Sequence, residues 1–279
     1  MSNFTDIFLF ILAMKPQTAQ EYLFRGIAHS RQGNYDKAIA DLNQSINLDP
    51  YFPQAYYNRG LAHRKTEKYS KAIGDFNKSI ELASDLTQAY YNRGLTYRMQ
   101  KKYDQALEDF NRVIQLNSYD WEAYYNRGLT FCKKDKYYQA LADFNTAIHL
   151  NPNDAALYYN RGLIYRRQQN YFYAIRDFEQ VIQLDSANHR GYYNRGLAYL
   201  QQDQYQEAIA DFNKTLTISP NNAQAYYNRG LARRKIKEFR SGNEDLERAA
   251  TLFKQQGNAR GYDKVQRLLE TVEKEVVTV

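Results

Sequence analysis

A chain that performs covalent chemistry must bring bases, nucleophiles or metal ligands within reach of one another, and this one spaces them badly for that. The four histidines are His29, His63, His149 and His189, and no two lie at metal-ligand spacing on one helix. His29 and His63 stand 34 residues apart, at a place where other segments of the chain carry an aromatic, which predicts packed imidazoles and not ligands. Cys132 is the single cysteine, so it can form no internal disulfide, and nothing marks it as a nucleophile. The 13 glycines are mostly set at regular intervals and do not cluster into a phosphate-cradling loop. These readings predict a binding protein with no catalytic residues, no metal and no cofactor.

What recurs is amide, phenol and guanidinium chemistry. Asn-Arg-Gly occurs at Asn58-Arg59-Gly60, Asn92-Arg93-Gly94, Asn126-Arg127-Gly128, Asn160-Arg161-Gly162, Asn194-Arg195-Gly196 and Asn228-Arg229-Gly230, with a weaker Phe24-Arg25-Gly26 ahead of them. The glycines are 34 residues apart every time, so seven units in unbroken register cover residues 19–256. Residues 1–18 form an apolar N-terminal segment and residues 257–279 a tail. Numbering each unit so that its glycine is position 8 makes the elements legible.

Tyr at position 4, Gly at 8 and an aromatic at 11 fall on one helical stripe, as in Tyr90, Gly94 and Tyr97. After a polar break, a second stripe carries Ala at 20 (Ala72, Ala106, Ala140), Phe or Leu at 24 (Phe76, Phe110, Phe144) and a small or β-branched residue at 27. Pro or Ser at position 32 closes six of the units, where proline stops a helix. Each unit is therefore expected to be a pair of antiparallel helices, with small residues at 8 and 20 where the backbones approach. In the tail, Tyr262, Val265, Leu268, Leu269, Val272 and Val276 share one helical face, the pattern of a helix capping the end of the stack.

This small-aromatic spacing at a 34-residue period resembles the tetratricopeptide repeat family, in a Tyr-Asn-Arg-Gly variant of bacterial type. The resemblance implies an all-α, right-handed superhelical solenoid of antiparallel helix pairs, with the first helix of each pair lining a concave groove. The chain departs from the family's usual motif in having Tyr at position 4, Arg at 7 and Leu at 9. Every Arg at 7 has an Asp at 23 in the same unit, from Arg25 and Asp41 to Arg229 and Asp245, which predicts a ladder of ion pairs setting the register of the two helices.

By the same resemblance, positions 2, 5, 6, 9, 12 and 13 face the groove. Three tracks would run along it: Tyr57, Tyr91, Tyr125, Tyr159, Tyr193 and Tyr227 at position 5, Asn58, Asn92, Asn126, Asn160, Asn194 and Asn228 at position 6, and leucines at position 9. An asparagine track offers one acceptor and two donors per unit to the backbone of an extended peptide, and tyrosines supply contact area. Lateral packing between neighbouring helices is the alternative reading for the tyrosines and leucines. Positions 12 and 13 hold Arg31, Arg64, Lys65, Arg98, Lys133, Arg166, Arg167, Arg234 and Lys235 and no acidic residue. Family members that clamp a terminal carboxylate use Lys at position 2, where this chain's one cation is Arg190.

The charge balance sharpens this. Lys and Arg number 38 against 31 Asp and Glu, a net +7, and seven arginines cancel seven aspartates in the expected ladder, so the resemblance implies that the excess gathers on one edge of the groove. Hydrophobic and charged shares of 43% and 25% exclude a collagen-like or low-complexity chain. The apolar run Ile7 to Met14 is too short for a membrane, which needs about 20 residues, and lacks the basic start and cleavage site of a leader. A cytoplasmic scaffold or adaptor binding an extended, acidic segment of a partner protein is the expected function. Single-stranded nucleic acid on the tyrosines beside the basic edge, or self-association, are the alternatives.

Overall fold

A computed structural model of the protein describes the backbone of residues 11–277 and the side chains of residues 11–270. Ile7 to Phe10 of the apolar run, and the side chains of Val272 and Val276, lie outside the described residues. Fifteen helices run between Ala19 and Val277 among the described residues, which include no strand.

The chain divides into two compact units, Met1–Leu150 and Asn151–Val279. The first stacks four helix pairs: α1 (Ala19–Arg31) with α2 (Tyr35–Leu48), α3 (Pro53–Lys65) with α4 (Tyr69–Leu82), α5 (Thr87–Met99) with α6 (Tyr103–Leu116), and α7 (Trp121–Lys133) with α8 (Tyr137–Leu150). The second stacks three pairs and a last helix: α9 (Ala155–Arg167) with α10 (Tyr171–Leu184), α11 (His189–Leu200) with α12 (Tyr205–Ile218), α13 (Ala223–Lys235) with α14 (Phe239–Gln255), and then α15 (Ala259–Val277).

Local chemistry fixes the helix ends. Thr18 and Glu21 form a capping box at the start of α1, and Asp120, Asp154, Asn188 and Asn222 cap α7, α9, α11 and α13 through their side chains. Every first helix ends on a left-handed residue at position 15: Gly33, Glu67, Lys101, Asp135, Gln169, Asp203 and Lys237 have φ between 56° and 78°. That turn reverses the chain. In the pair α13/α14, position 8 lies against position 24 (Gly230 and Leu246) and position 12 against position 20 (Arg234 and Gly242), so one helix ascends as the other descends.

Within each compact unit the core is built on the position-24 side chains. Phe76, Phe110, Phe144, Phe178 and Phe212 are fully buried, with Leu42 and Leu246 in the outermost pairs. Each Phe occupies the space that the glycine of its own unit leaves: a Cβ on Gly60 would stand 2.8 Å from the Phe76 ring, and one on Gly162 would stand 2.9 Å from Phe178. The close approach expected at positions 8 and 20 is thus mainly glycine against a phenylalanine face. Burying a Phe is worth about 1.5–3 kcal/mol, so each of these rings adds substantially to the cohesion of its helix pair. At the C-terminal end Val265 is fully buried against Leu246, Ala249 and Phe253, and Tyr262, Leu268 and Leu269 pack around it.

Candidate functional site

The first helices carry every residue expected to act, and the second helices hold them in place. All seven Arg–Asp pairs form. In each, Arg Nη2 donates to Asp Oδ1 at 2.6–2.7 Å and Nε donates to the other oxygen at 2.9–3.0 Å, from Arg25–Asp41 to Arg229–Asp245. This two-bond fork is the geometry of an ionised guanidinium and carboxylate. Burial pushes the Asp109, Asp143, Asp177 and Asp211 carboxyls up against the pull of their arginines, while the bonds that Arg25 and Arg195 donate to Asp41 and Asp211 hold these two guanidinium groups above the ordinary arginine value.

Two further contacts of these arginines were not legible as pairs in the sequence. The tyrosine at position 4 lies under the guanidinium in every unit, at 5.2–5.9 Å from ring centre to Cζ. The remaining nitrogen, Nη1, reaches back to an asparagine at position 25 of the preceding unit: Arg59 to Asn43, Arg93 to Asn77 and Arg127 to Asn111 at 2.7 Å, and Arg229 to Asn213 at 2.6 Å. The 34-residue recurrence of those asparagines was the available signal. Each such arginine ties three helices together.

The tyrosine and asparagine tracks are coupled across successive units. Asn92 donates to the Tyr57 hydroxyl at 3.1 Å, Asn126 to Tyr91 at 2.8 Å, Asn194 to Tyr159 at 3.3 Å and Asn228 to Tyr193 at 3.1 Å. The same Nδ2 also donates to the carbonyl four residues back, as it does in Asn58 and Asn160. In the four asparagines with both bonds the carboxamide donors are spent within the fold and the Oδ1 acceptor is what they can offer outward. The tyrosine rings lean on the buried phenylalanines, with Tyr57–Phe76, Tyr91–Phe110, Tyr125–Phe144 and Tyr193–Phe212 centroids 5.9–6.0 Å apart. Burial raises the Tyr57 and Tyr193 hydroxyls. Tyr91 is pushed up to about 12 by burial, with the charges of Glu122 and Asp120 adding to it; these residues border a hollow of about 260 Å³.

The basic residues divide into three groups. Arg64, Arg98 and Arg166 at position 12 are half-buried beside the tyrosine track: Arg64 faces Tyr57, Arg98 faces Tyr91 and Tyr125, and Arg166 faces Tyr193. Burial lowers the Arg98 guanidinium, and the buried Nε of Arg64 and of Arg166 has no hydrogen-bond partner. Lys65, Lys133, Arg167 and Arg190 are exposed. Arg234 is turned away, its Nη1 donating to Asn243 Oδ1 at 2.7 Å and its guanidinium over the Phe239 ring of α14. The reason is local: Gly242 and Asn243 open a slot in α14 that this side chain enters.

At position 11, His29 and His63 point Nε2 at Asp41 and Asp75 from 3.8 and 3.9 Å. The corresponding Arg233 bonds Asp245 at 2.9 Å. Burial lowers both histidines, with the aspartates opposing. Among the described residues no group of three His, Cys, Asp or Glu could hold a metal ion, and no helix is long and apolar enough to cross a membrane.

Stacked 34-residue helix pairs, closed by a glycine against an aromatic, define a repeat protein of the tetratricopeptide class. The tetratricopeptide repeat profiles match residues 53–86, 87–120, 121–154, 144–176 and 189–222, and a related TPR repeat profile matches 26–66 and 162–203. The chain belongs to the tetratricopeptide repeat family. No curated protein matches it significantly. Among solved structures it is similar to a tetratricopeptide repeat protein from Parabacteroides merdae (21% identity, 90% of this chain and 100% of that one, TM-score 0.64). It is also similar to YrrB, described as a TPR protein with an unusual peptide-binding site (22%, 66% and 95%, 0.58), and to MamA (26%, 62% and 94%, 0.57).

Proposed function

We propose that this chain is a non-enzymatic, cytoplasmic scaffold whose first-helix face binds an extended, acidic segment of a partner protein. The observation that carries the reading is the position-12 arginine set. Arg64, Arg98 and Arg166 have each surrendered part of their hydration beside a tyrosine, and among the described residues no carboxylate pairs with them. A cation held in that condition gains from an incoming anion more than a freely solvated one does, because part of the desolvation cost is already met. Asn Oδ1 groups along the same face accept from a partner's backbone N–H groups, and the tyrosine edges give contact area. Acidic Glu122 and Asp120 at the Tyr91 hollow oppose the approach of a carboxylate there.

The test is a titration of the protein with a labelled acidic peptide and with labelled single-stranded RNA at two salt concentrations. The reading expects peptide binding that weakens several-fold in Arg64→Gln, Arg98→Gln, Arg166→Gln protein whose helicity is unchanged. Tight, steeply salt-dependent RNA binding with no peptide binding overturns it.

A further inference from the structure

The C-terminal end of the tyrosine track breaks the pattern of the units before it. Tyr193 receives a hydrogen bond from Asn228 in the next unit, but 34 residues after Asn228 the chain has Tyr262, and 34 after Tyr227 it has Gly261. At these places α15 therefore carries neither the asparagine that would donate to the Tyr227 hydroxyl nor a tyrosine to continue the track. Gly261 instead lies flat on Phe253, where a Cβ would stand 2.8 Å from the ring. A hollow of about 350 Å³ opens in the space this leaves.

Its lining is unlike that of the Tyr91 hollow. Tyr227, Gln224 and Phe253 form the wall and floor, Arg260 and Lys264 stand at the rim, and no carboxylate lines it. The Lys264 ammonium lies 4.6 Å from the centre of the Tyr227 ring, and among the described residues neither Arg260 nor Lys264 has an acidic partner. Both side chains are exposed. The two cations are one turn apart on α15, about 6 Å between their Cβ atoms.

We propose that this hollow is a receptor for two acidic side chains set two residues apart in an extended segment of the partner. The spacing follows from geometry: alternate side chains of an extended chain share a face and recur about every 6.6 Å, close to the separation of Arg260 and Lys264. Phe253 and the Tyr227 ring receive the methylene stems, and the Tyr227 hydroxyl and Gln224 carboxamide donate to carboxylate oxygens. The inference rests on the acidic-segment reading above and locates the end of the row where that segment is anchored.

The test uses the full chain and fluorescein-labelled, C-terminally amidated peptides carrying two glutamates either two residues apart or adjacent, followed by anisotropy. Wild-type protein is expected to prefer the spaced peptide, and Arg260→Gln with Lys264→Gln to weaken its binding roughly three- to tenfold, the strength of two exposed ion pairs. Arg260→Glu with Lys264→Glu should gain affinity for a peptide with two lysines two residues apart, which loss of folding cannot mimic. Spaced-peptide binding unaffected by the double substitutions overturns the receptor and leaves the wider scaffold reading standing. No acidic peptide binding by wild type overturns both. Tighter binding of a peptide with a free C-terminus and no glutamates would assign the hollow to a terminal carboxylate and overturn the paired-side-chain reading.

Discussion

Replacing Asp109 by Ala should be among the most damaging single changes in the first compact unit, and the structure sets its size. Asp109 accepts two hydrogen bonds from Arg93 and its side chain is 4% exposed, against 19% for the arginine. Without the carboxylate, Arg93 keeps its Nη1 bond to Asn77 at 2.7 Å and the rings of Tyr90 and Tyr97, but two donors face a space that water reaches poorly. Breaking a buried pair by removing one partner costs about 3–5 kcal/mol; the partial exposure of Arg93 and its surviving bond put Asp109→Ala near the low end, about 3 kcal/mol. Removing both ends with Arg93→Met and Asp109→Leu should recover most of that loss, because no charge is then left unpaired. Stacked repeats can open locally, so the assay is urea unfolding followed by circular dichroism together with amide hydrogen exchange resolved to α5 and α6. A loss below about 1 kcal/mol, or a double variant as unstable as the two single losses summed, would refute the view that these pairs set the register.

Other outcomes follow from neighbouring geometry. His63 is held below the ordinary value of 6.5 by burial, so the unfolded chain takes up the proton first; stability is intact above about pH 6.5 and falls as pH drops toward the folded value. Urea midpoints compared from about pH 7.5 to about pH 5.5 should show a smaller decline in His29→Phe, His63→Phe protein than in wild type. Lys101→Gly should stabilise by up to about 1 kcal/mol, since φ is 60° at that position and glycine adopts it without strain; thermal melting reads the sign. In ultraviolet titration Tyr91 should ionise about two units later than an exposed tyrosine, near 12. Tyr91→Phe should cost about 1 kcal/mol by taking the acceptor from Asn126.

Much of the fold was legible because helical and hairpin geometry is written in local spacing. A stripe at 4, 8 and 11 followed by one at 20, 24 and 27 specifies two helices that meet across one turn, and the pairing of position 7 with 23 then follows from counting along both. The Arg–Asp pairs, the buried phenylalanines and the packing of Val265 and Leu268 in α15 all fall in this class. The asparagine track was legible as a row but not as what it is bonded to. Read alone, Asn126 offers two donors to a ligand; in the structure one Nδ2 serves both the Tyr91 hydroxyl and the Glu122 carbonyl.

The sequence by itself thus determined the period, the helix pairs and the contacts inside each pair, because those depend on residue offsets of a few turns and on the single left-handed residue that reverses the chain. Only the tertiary structure decided which unit's tyrosine meets which asparagine, where Arg59 sends its third bond, that Arg234 leaves the row of Arg64, Arg98 and Arg166, and that a hollow opens beside Tyr227. These depend on how far one pair is displaced and rotated on the next. That offset is set by the summed packing of many side chains and by no motif.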